Sequence, residues 1–334
     1  MKTSISIVLA TRNGEPYLRQ QLNSIKQQTL RPRELIISDD NSTDTTLAIA
    51  HEFSAIAGFP VRIVRNEPAL GFRENFLSAT ALATGEWVAF CDQDDVWRAD
   101  KLQMCANAST TEGVTQIVHQ SRLIDASNNV IGTFDQGIKQ NSIVGPLKYD
   151  IWGTFWGFSM IVKRSLLALV PPSDRFVDYI DARHLIAHDR WAFFLAQTLG
   201  RTAEIAEPLA DYRQHGNNLY GGAYKRGVRK TREIQLLEHA VYVDATRGML
   251  SVVEGLPDYV ERDFPRFDRI RALQVYSEAL RQVEARLDIY KSGRIRAPFK
   301  SILALTSGKY RNAHCGNIRW RSFGKDLLHA TFAA

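Results

Sequence analysis

The chain has 334 residues but only three cysteines, Cys91, Cys105 and Cys315. An odd number at unpatterned spacings fits neither a disulfide framework nor a zinc site, so a reducing compartment is the simpler reading. No stretch approaches the roughly 20 consecutive apolar residues that cross a bilayer. The opening MKTSISIVLATRNG has one lysine and a short apolar run that breaks at Arg12 and Asn13. A first strand accounts for it, because a secretory signal needs a longer apolar stretch and a cleavage site. Internal repeats and low-complexity segments are also missing. These absences point to the cytoplasm. What remains is an ordinary soluble composition, 45% hydrophobic and 23% charged, long enough for one large or two modest domains.

The net charge of +6 is unevenly spread. From Lys291 onward come Arg294, Arg296, Lys300, Lys309, Arg311, Arg319, Arg321 and Lys325 against one acid, Asp326. Such a tail suits nucleic acid or an anionic membrane surface, with a merely solubilising surface as the plain alternative.

The first half alternates strand and helix signals. Ser4 to Ala10 is a β-branched-rich run, followed by the loop TRNGEP. In YLRQQLNSIKQQ, Leu18, Leu22 and Ile25 then fall at helical spacing. Glu34 to Ser38 (ELIIS) reads as a strand closing on Asp39 and Asp40, and NSTD supplies helix-capping residues before a helix from Thr45 to Ala55. A strand at Val61 to Val64, a helix in FRENFLSATALA stopped by Gly85, and the strand WVAFC complete the series. This alternation predicts a mostly parallel sheet with helices on both faces, and ligands in such sheets sit outside the carboxyl ends of the strands. Three of those ends carry polar groups: Thr11, Arg12 and Asn13; Asp39 and Asp40; and Asp92 to Asp95. Further on, NNVIGT reads as a turn into a strand, HLIAHDRWAFFLAQTLG as a helix, TAEIAEP as a strand and ADYRQHGNNLYGG as a loop. The pattern is long and helical from Lys225 to about Lys291, and the boundary is set at 222/223.

In AFCDQDDVWRADK an apolar strand ends in three carboxylates, Asp92, Asp94 and Asp95. Like charges this close repel, so a compensating positive group is expected. A hard divalent cation, Mg²⁺ or Mn²⁺, is one answer, since it takes oxygen ligands and commonly uses one or two carboxylates plus phosphate oxygens. A solvated acidic turn capping the next helix is the competing reading.

The order VLATRNGEPYL, ELIISDDNSTD, GFRENF and DQDDVW resembles glycosyltransferase family 2, nucleotide-sugar enzymes of GT-A fold; HDRW and YRQHGNN resemble its rhamnosyltransferase-type branch. The resemblance is close over about the first 100 residues and looser to Gly222. It implies a GT-A domain at 1–222, a mixed, mostly parallel α/β sheet flanked by helices, and a basic, mainly helical C-terminal region at 223–334.

The same resemblance implies the site. Asp39 accepts a hydrogen bond from the nucleotide base, and Thr11, Arg12, Asn13, Glu15 and Asp40 shape the nucleotide pocket. Arg73 lies near the donor, Asp92 and Gln93 contact ribose or sugar, Asp94 ligates the metal, and Asp95 stands behind it. The catalytic base is Asp189, with His188 and Trp191 as neighbours; Asp178 and Asp181 are the competing acids. His188 departs from the family's usual acidic pair. His215 is a metal or diphosphate ligand, and Arg213 is the alternative partner of the departing phosphate. Trp152, Trp156 and Phe158 either stack on sugars or fill the core.

The expected reaction is inverting, Mn²⁺- or Mg²⁺-dependent transfer from a UDP- or dTDP-linked sugar, rhamnose being one plausible choice, to a glycan or lipid-linked acceptor. The basic tail would hold the enzyme at the inner face of the membrane, and the long helices offer a surface for homo-oligomers. Nucleic acid is not an expected partner. A nucleotidyltransferase is disfavoured because TRNGEP lacks a glycine- and lysine-rich phosphate loop. The rival of another class is a non-enzymatic adaptor binding nucleic acid or membrane through the basic C-terminal region.

Overall fold

A computed structural model describes residues 3–216, 231–311 and 317–332. The 222/223 boundary, Cys315 and the two asparagines that close YRQHGNN lie outside them. The chain divides into two compact units: Met1–Pro172 with Ala187–Gly222 and Phe264–Arg266, and Ser173–Ile186 with Ala223–Asp263 and Phe267–Ala334.

The first unit begins with β1 (Ile5–Thr11), α1 (Leu18–Lys26), β2 (Glu34–Asp39), α2 (Thr46–Ser54), β3 (Val61–Arg65), α3 (Phe72–Thr80) and β4 (Trp87–Asp92). It continues through β5 (Val96–Trp97), α4 (Lys101–Ser109), β6 (Val114–Ile124), β7 (Val130–Phe134), β8 (Ser142–Val144), β9 (Met160–Lys163), α5 (Arg164–Leu167), α6 (His188–Leu199) and β10 (Arg201–Arg213). The main sheet order is β3-β2-β1-β4-β9-β6-β10-β5, with β7 on β6 and β8 on β10. β3, β2, β1 and β4 are mutually parallel. β9 runs antiparallel to both β4 and β6, while β6 and β10 are parallel.

β1 and β2 are buried on nearly every residue because both faces are covered. Ile5, Ile7 and Leu9 pack with Leu18, Leu22 and Ile25 of α1, with Ile49 and Phe53 of α2 and with Leu102 of α4. Val8, Ile36, Val88 and Phe90 face the other way, towards Phe76 of α3 and Ala192 and Phe193 of α6. The period of two along each strand thus sorts side chains into two cores. Cys91 and Cys105 are buried and free.

Three local readings are corrected. The helix starting at Phe72 ends at Thr80 rather than at Gly85. Gly85 is there for close approach: a Cβ on it would sit 2.7 Å from the Ser6 backbone nitrogen. Residues 210–213, read as loop, continue β10, because Ala210, Asp211, Tyr212 and Arg213 pair in register with Ser121, Arg122, Leu123 and Ile124. The helix read from HLIAHDRW begins only at His188, and Ile186 instead returns its N–H to the Phe176 carbonyl.

The second unit contains α7 (Arg232–Gly255), α8 (Tyr259–Asp263), α9 (Arg269–Lys291), α10 (Ala297–Thr306) and α11 (Trp320–Phe332). Asp326 is fully buried in its interior. It accepts two hydrogen bonds from Arg286 (2.6 and 3.0 Å), one from the Tyr290 hydroxyl (3.0 Å) and one from the Tyr310 hydroxyl (2.9 Å). His239 Nε2 lies 3.8 Å from the same carboxylate. Burying a carboxylate costs several kcal/mol unless its lone pairs are satisfied, and this network satisfies them.

Candidate active site

The parallel register aligns three strand ends. Thr11 pairs with Asp39 across β1 and β2, and Ala10 pairs with Asp92 across β1 and β4. β2 lies on one side of β1 and β4 on the other, so the chain reverses its direction of winding here, where α/β sheets open a crevice.

Asp39 is fully buried. Its carboxylate accepts from Thr11 Oγ1 (2.9 Å), Ser42 N (2.9 Å) and Ser42 Oγ (2.5 Å). Asp40, also buried, accepts from the backbone N–H groups of Leu70 (2.6 Å) and Gly71 (2.9 Å), with Arg12 3.8 Å away. It therefore pins the entry to α3, where Gly71 takes a left-handed φ of 82°. Arg73 follows, buried, with its guanidinium 4.6 Å from the centre of the Phe72 ring. Asn75, in the same GFRENF stretch, donates to the Ser38 carbonyl (2.9 Å) and holds α3 against β2.

The TRNGEP loop is tied on two sides. Asn13 N donates to Ser42 Oγ, Thr43 N donates to Asn13 Oδ1, and Glu15 N donates to Asp44 Oδ2. Gln93 brackets Arg12, accepting from its N–H (2.9 Å) and donating to its carbonyl (3.0 Å). A Cβ on Gly14 would lie 2.3 Å from Gln93 Oε1, so the approach needs glycine or a displaced Gln93.

The acidic turn sits between β4 and β5, and β5 pairs antiparallel with β10. Asp94 and His215 meet at 2.8 Å (Oδ2 to Nε2), with the His215 ring tilted against Tyr17 at 4.9 Å between ring centres. Asp95 is fully buried, accepts from Arg213 N (3.1 Å), and its carboxyl is pushed well up by burial and by the charges of Asp94 and Asp92. Asp92 is raised to about 7 by burial, then by Asp94 and then by Asp189, which places Asp189 within electrostatic reach of the turn. Asp189 occupies the first turn of α6, where the helix N-terminus favours a carboxylate, and its Oδ1 accepts from Arg190 N at 2.7 Å.

Arg213, expected to meet the departing phosphate, has its donors committed elsewhere. Nε donates to the Asp94 carbonyl, Nη1 to the carbonyls of Asp125 and Ala126, and Nη2 to Gln20 Oε1 and Asn128 Oδ1. All five guanidinium N–H groups are thereby used and the side chain is fully buried, so it clamps the acidic turn. His188 is buried and stacked on Phe76 at 3.9 Å, directly before Asp189. Trp191 is buried and stacks on Phe194. Phe158 is core, stacked on Tyr212 at 4.5 Å, and Trp156 packs against the same core. The competing acids belong to the second unit, where Asp181 pairs with Arg183 (2.8 Å) and buried Asp178 accepts from Ile180 N.

Sequence reasoning missed Lys101. Its ammonium is buried, donates to the Phe158 carbonyl (2.7 Å) and lies 3.7 Å from the centre of a Trp97 ring. Burial pushes its pKa down to about 8, while Cys105, Cys91, Asp95 and Asp92 act the other way. It is a cation under the acidic turn, and nothing at position 101 separates it from a surface lysine at a helix start.

Among the described residues no group of three or more His, Cys, Asp or Glu side chains converges on an ion position. Asp94 and His215 form a pair, and their 2.8 Å separation is near the roughly 3 Å between adjacent ligands on an octahedral ion with bonds of about 2.1 Å. Burial raises the Asp92 and Asp95 carboxyls first, and the neighbouring acids raise them further, a crowding of negative charge that a dication would offset. These residues fit a Mg²⁺ or Mn²⁺ that takes its remaining ligands from phosphate and water.

The model of the family Glycosyl transferase family 2 matches residues 6–168. An uncharacterized glycosyltransferase of Nostoc sp. is 30% identical over 225 residues, 64% of this chain and 66% of that protein. The dTDP-rhamnosyl transferase RfbG of Shigella flexneri is 27% identical over 227 residues, 64% of this chain and 73% of its own length. WfgD of Escherichia coli, a UDP-Glc:alpha-D-GlcNAc-diphosphoundecaprenol beta-1,3-glucosyltransferase, is 29% identical over 130 residues, 39% of this chain and 50% of that one. The chain thus spans from half to about two thirds of the length of the Nostoc and E. coli relatives. Among solved structures, S. aureus TarS 1–349 in complex with UDP superposes with a TM-score of 0.54 at 16% identity, covering 93% of each chain, a likeness of fold. The part of the chain that begins at β1 and carries the acidic turn, residues 6–168, is a glycosyltransferase family 2 domain.

Proposed function

We propose that the protein is an inverting, metal-dependent glycosyltransferase. It moves a sugar, rhamnose being one plausible choice, from a UDP- or dTDP-linked donor to a hydroxyl of a glycan or lipid-linked acceptor in cell-surface glycan synthesis. The observation that supports this reading is the alignment of Asp39 and the Asp92–Gln93–Asp94 turn at one edge of the sheet, with Asp189 near enough for its charge to act on Asp92. Named relatives use UDP-glucose and dTDP-rhamnose, and the solved neighbour holds UDP, so the nucleoside diphosphate is the shared element.

In this reading Asp39 and Thr11 receive the base and Asp40 keeps that wall in place. Asp92 accepts from ribose or sugar hydroxyls, and Gln93 fixes its turn against Arg12. Asp189 takes the proton of the acceptor hydroxyl as that oxygen bonds to the anomeric carbon. The bond from that carbon to the diphosphate oxygen breaks on the opposite face, and its electron pair leaves with the nucleoside diphosphate. Asp94 and His215 would hold a Mg²⁺ or Mn²⁺, which when bound would supply Lewis-acid stabilisation of the departing charge. Arg213 and Lys101 hold the turn in shape from within the protein.

No helix among the described residues is long and apolar enough to cross a membrane. The proposed location is cytoplasmic and peripheral at the inner face of the membrane.

The test is turnover of a nucleotide-sugar panel by the purified chain, read by mass spectrometry of the released nucleotide and the product. Asp189→Asn is expected to lower kcat by about 10²–10⁴-fold with unchanged donor binding. Asp94→Ala is expected to abolish the response to added Mn²⁺. Full turnover in both variants overturns the reading.

A further inference from the structure

We infer that α10 and the turn before it form a docking surface for an anionic lipid bilayer. The helix is built inside out. Its small residues, Ala297, Ser301 and Ala304, point inward and are buried, with Ala297 and Ala304 packed among Ile289, Tyr290, Tyr310 and Ala330. Leu305 also packs against that core, but the other large apolar residues face away from it: Phe299 is 73% exposed, Ile302 52% and Leu303 67%, and Ile295 in the preceding turn is 85% exposed. Positions 299, 302 and 303 follow the three-and-four spacing of a single helix face. A helix in water normally has the reverse arrangement, so this face is built to be covered.

Charge identifies what covers it. From Lys291 to Arg311 the chain carries Lys291, Arg294, Arg296, Lys300, Lys309 and Arg311 and no acidic residue. Lys300 pairs with Asp288 (2.6 Å) and Lys309 lies 3.7 Å from Glu278, yet the segment stays strongly basic. A symmetric dimer through this face would set the same basic patch against itself, which like-charge repulsion opposes. An anionic membrane satisfies both features, because acyl chains take the apolar side chains while headgroups attract the lysines and arginines. Trp320 and Leu328, 60% and 58% exposed and two turns apart on α11, add to the exposed apolar side chains of this unit. The inference stands independently of the transferase reading, and its test needs no turnover.

The full chain is to be floated with vesicles of phosphatidylcholine alone or mixed with phosphatidylglycerol. Wild type is expected to bind the phosphatidylglycerol vesicles and to leave the neutral ones. The variant Ile295→Ser/Phe299→Ser/Leu303→Ser is expected to bind at least about tenfold more weakly with an unchanged melting curve, since the replaced side chains are exposed. Arg294→Glu/Arg296→Glu is expected to lose the preference for anionic lipid. Equal binding by wild type and the triple variant, or no binding by wild type, overturns the inference. So does a dimer in sedimentation that the triple variant dissolves, because the face is then covered by a second copy.

Discussion

Asp92 holds its proton up to about 7, first because it is desolvated and then because Asp94 and Asp189 are negative beside it. An unfolded aspartate gives up that proton near pH 4, so the folded state is destabilised as pH rises from about 4 to 7. Asp92→Asn should therefore raise stability at pH 8, by about 1–2 kcal/mol, while turnover falls. Thermal melts at pH 8 check the first half and turnover the second; an unchanged or lower melting temperature contradicts the electrostatic account. Gly157 makes the opposite kind of demand. A Cβ there would come within 2.9 Å of His188 Nε2 and 3.6 Å of Asp189 Cβ. Gly157→Ala should push the start of α6 aside, costing about 1–3 kcal/mol in a denaturant melt and lowering kcat. At this scale the acids were legible, since a strand ending in DQDD announces itself. Lys101 and the clamping role of Arg213 were not, because a buried cation is created by distant groups such as the Phe158 carbonyl and Asn128.

Strand β10 shows how an element can govern a site it does not visibly line. Its last residue reaches five acceptors on the turn after β4, the loop after β6 and α1. Arg213→Lys keeps the charge but has only three donors on one atom, so most of those buried acceptors lose their partner. The expected result is a loss of at least about 3 kcal/mol in a urea melt, with turnover lost through displacement of Asp94. A lysine variant with wild-type stability would contradict the clamp. The β1 to β4 alternation and the periodicity of α1 were readable because local pattern and burial agree there. The end of β10 was not: DYR reads as part of a polar loop, and only its pairing with β6 makes it strand. The antiparallel insertion of β9 between β4 and β6 is likewise a long-range choice that spacing does not encode.

The two units respond differently to acid. In the second, His239 is pushed down to about 4, first by burial and then by Arg286, against an ordinary value of 6.5. The unfolded imidazole thus takes its proton before the folded one, and stability falls as pH drops from about 6.5 to 4, by about 3 kcal/mol. Burial alone would raise the Asp326 carboxyl, but Arg286 holds it below its usual range, so further stability is lost below about pH 4. Melting curves across this range should show the loss, and His239→Gln should flatten it above pH 4; a variant as acid-sensitive as wild type contradicts the assignment. The charge pattern of the C-terminal region was legible in sequence, whereas the outward-facing Phe299 and Leu303 required the packing of α10. The account as a whole turns on the acidic turn, and the most direct measurement is anomalous diffraction from crystals grown with Mn²⁺ and UDP or dTDP. The account predicts a manganese peak within bonding distance of Asp94 and His215, with the nucleotide base against Asp39. Manganese and nucleotide bound away from these residues would contradict it.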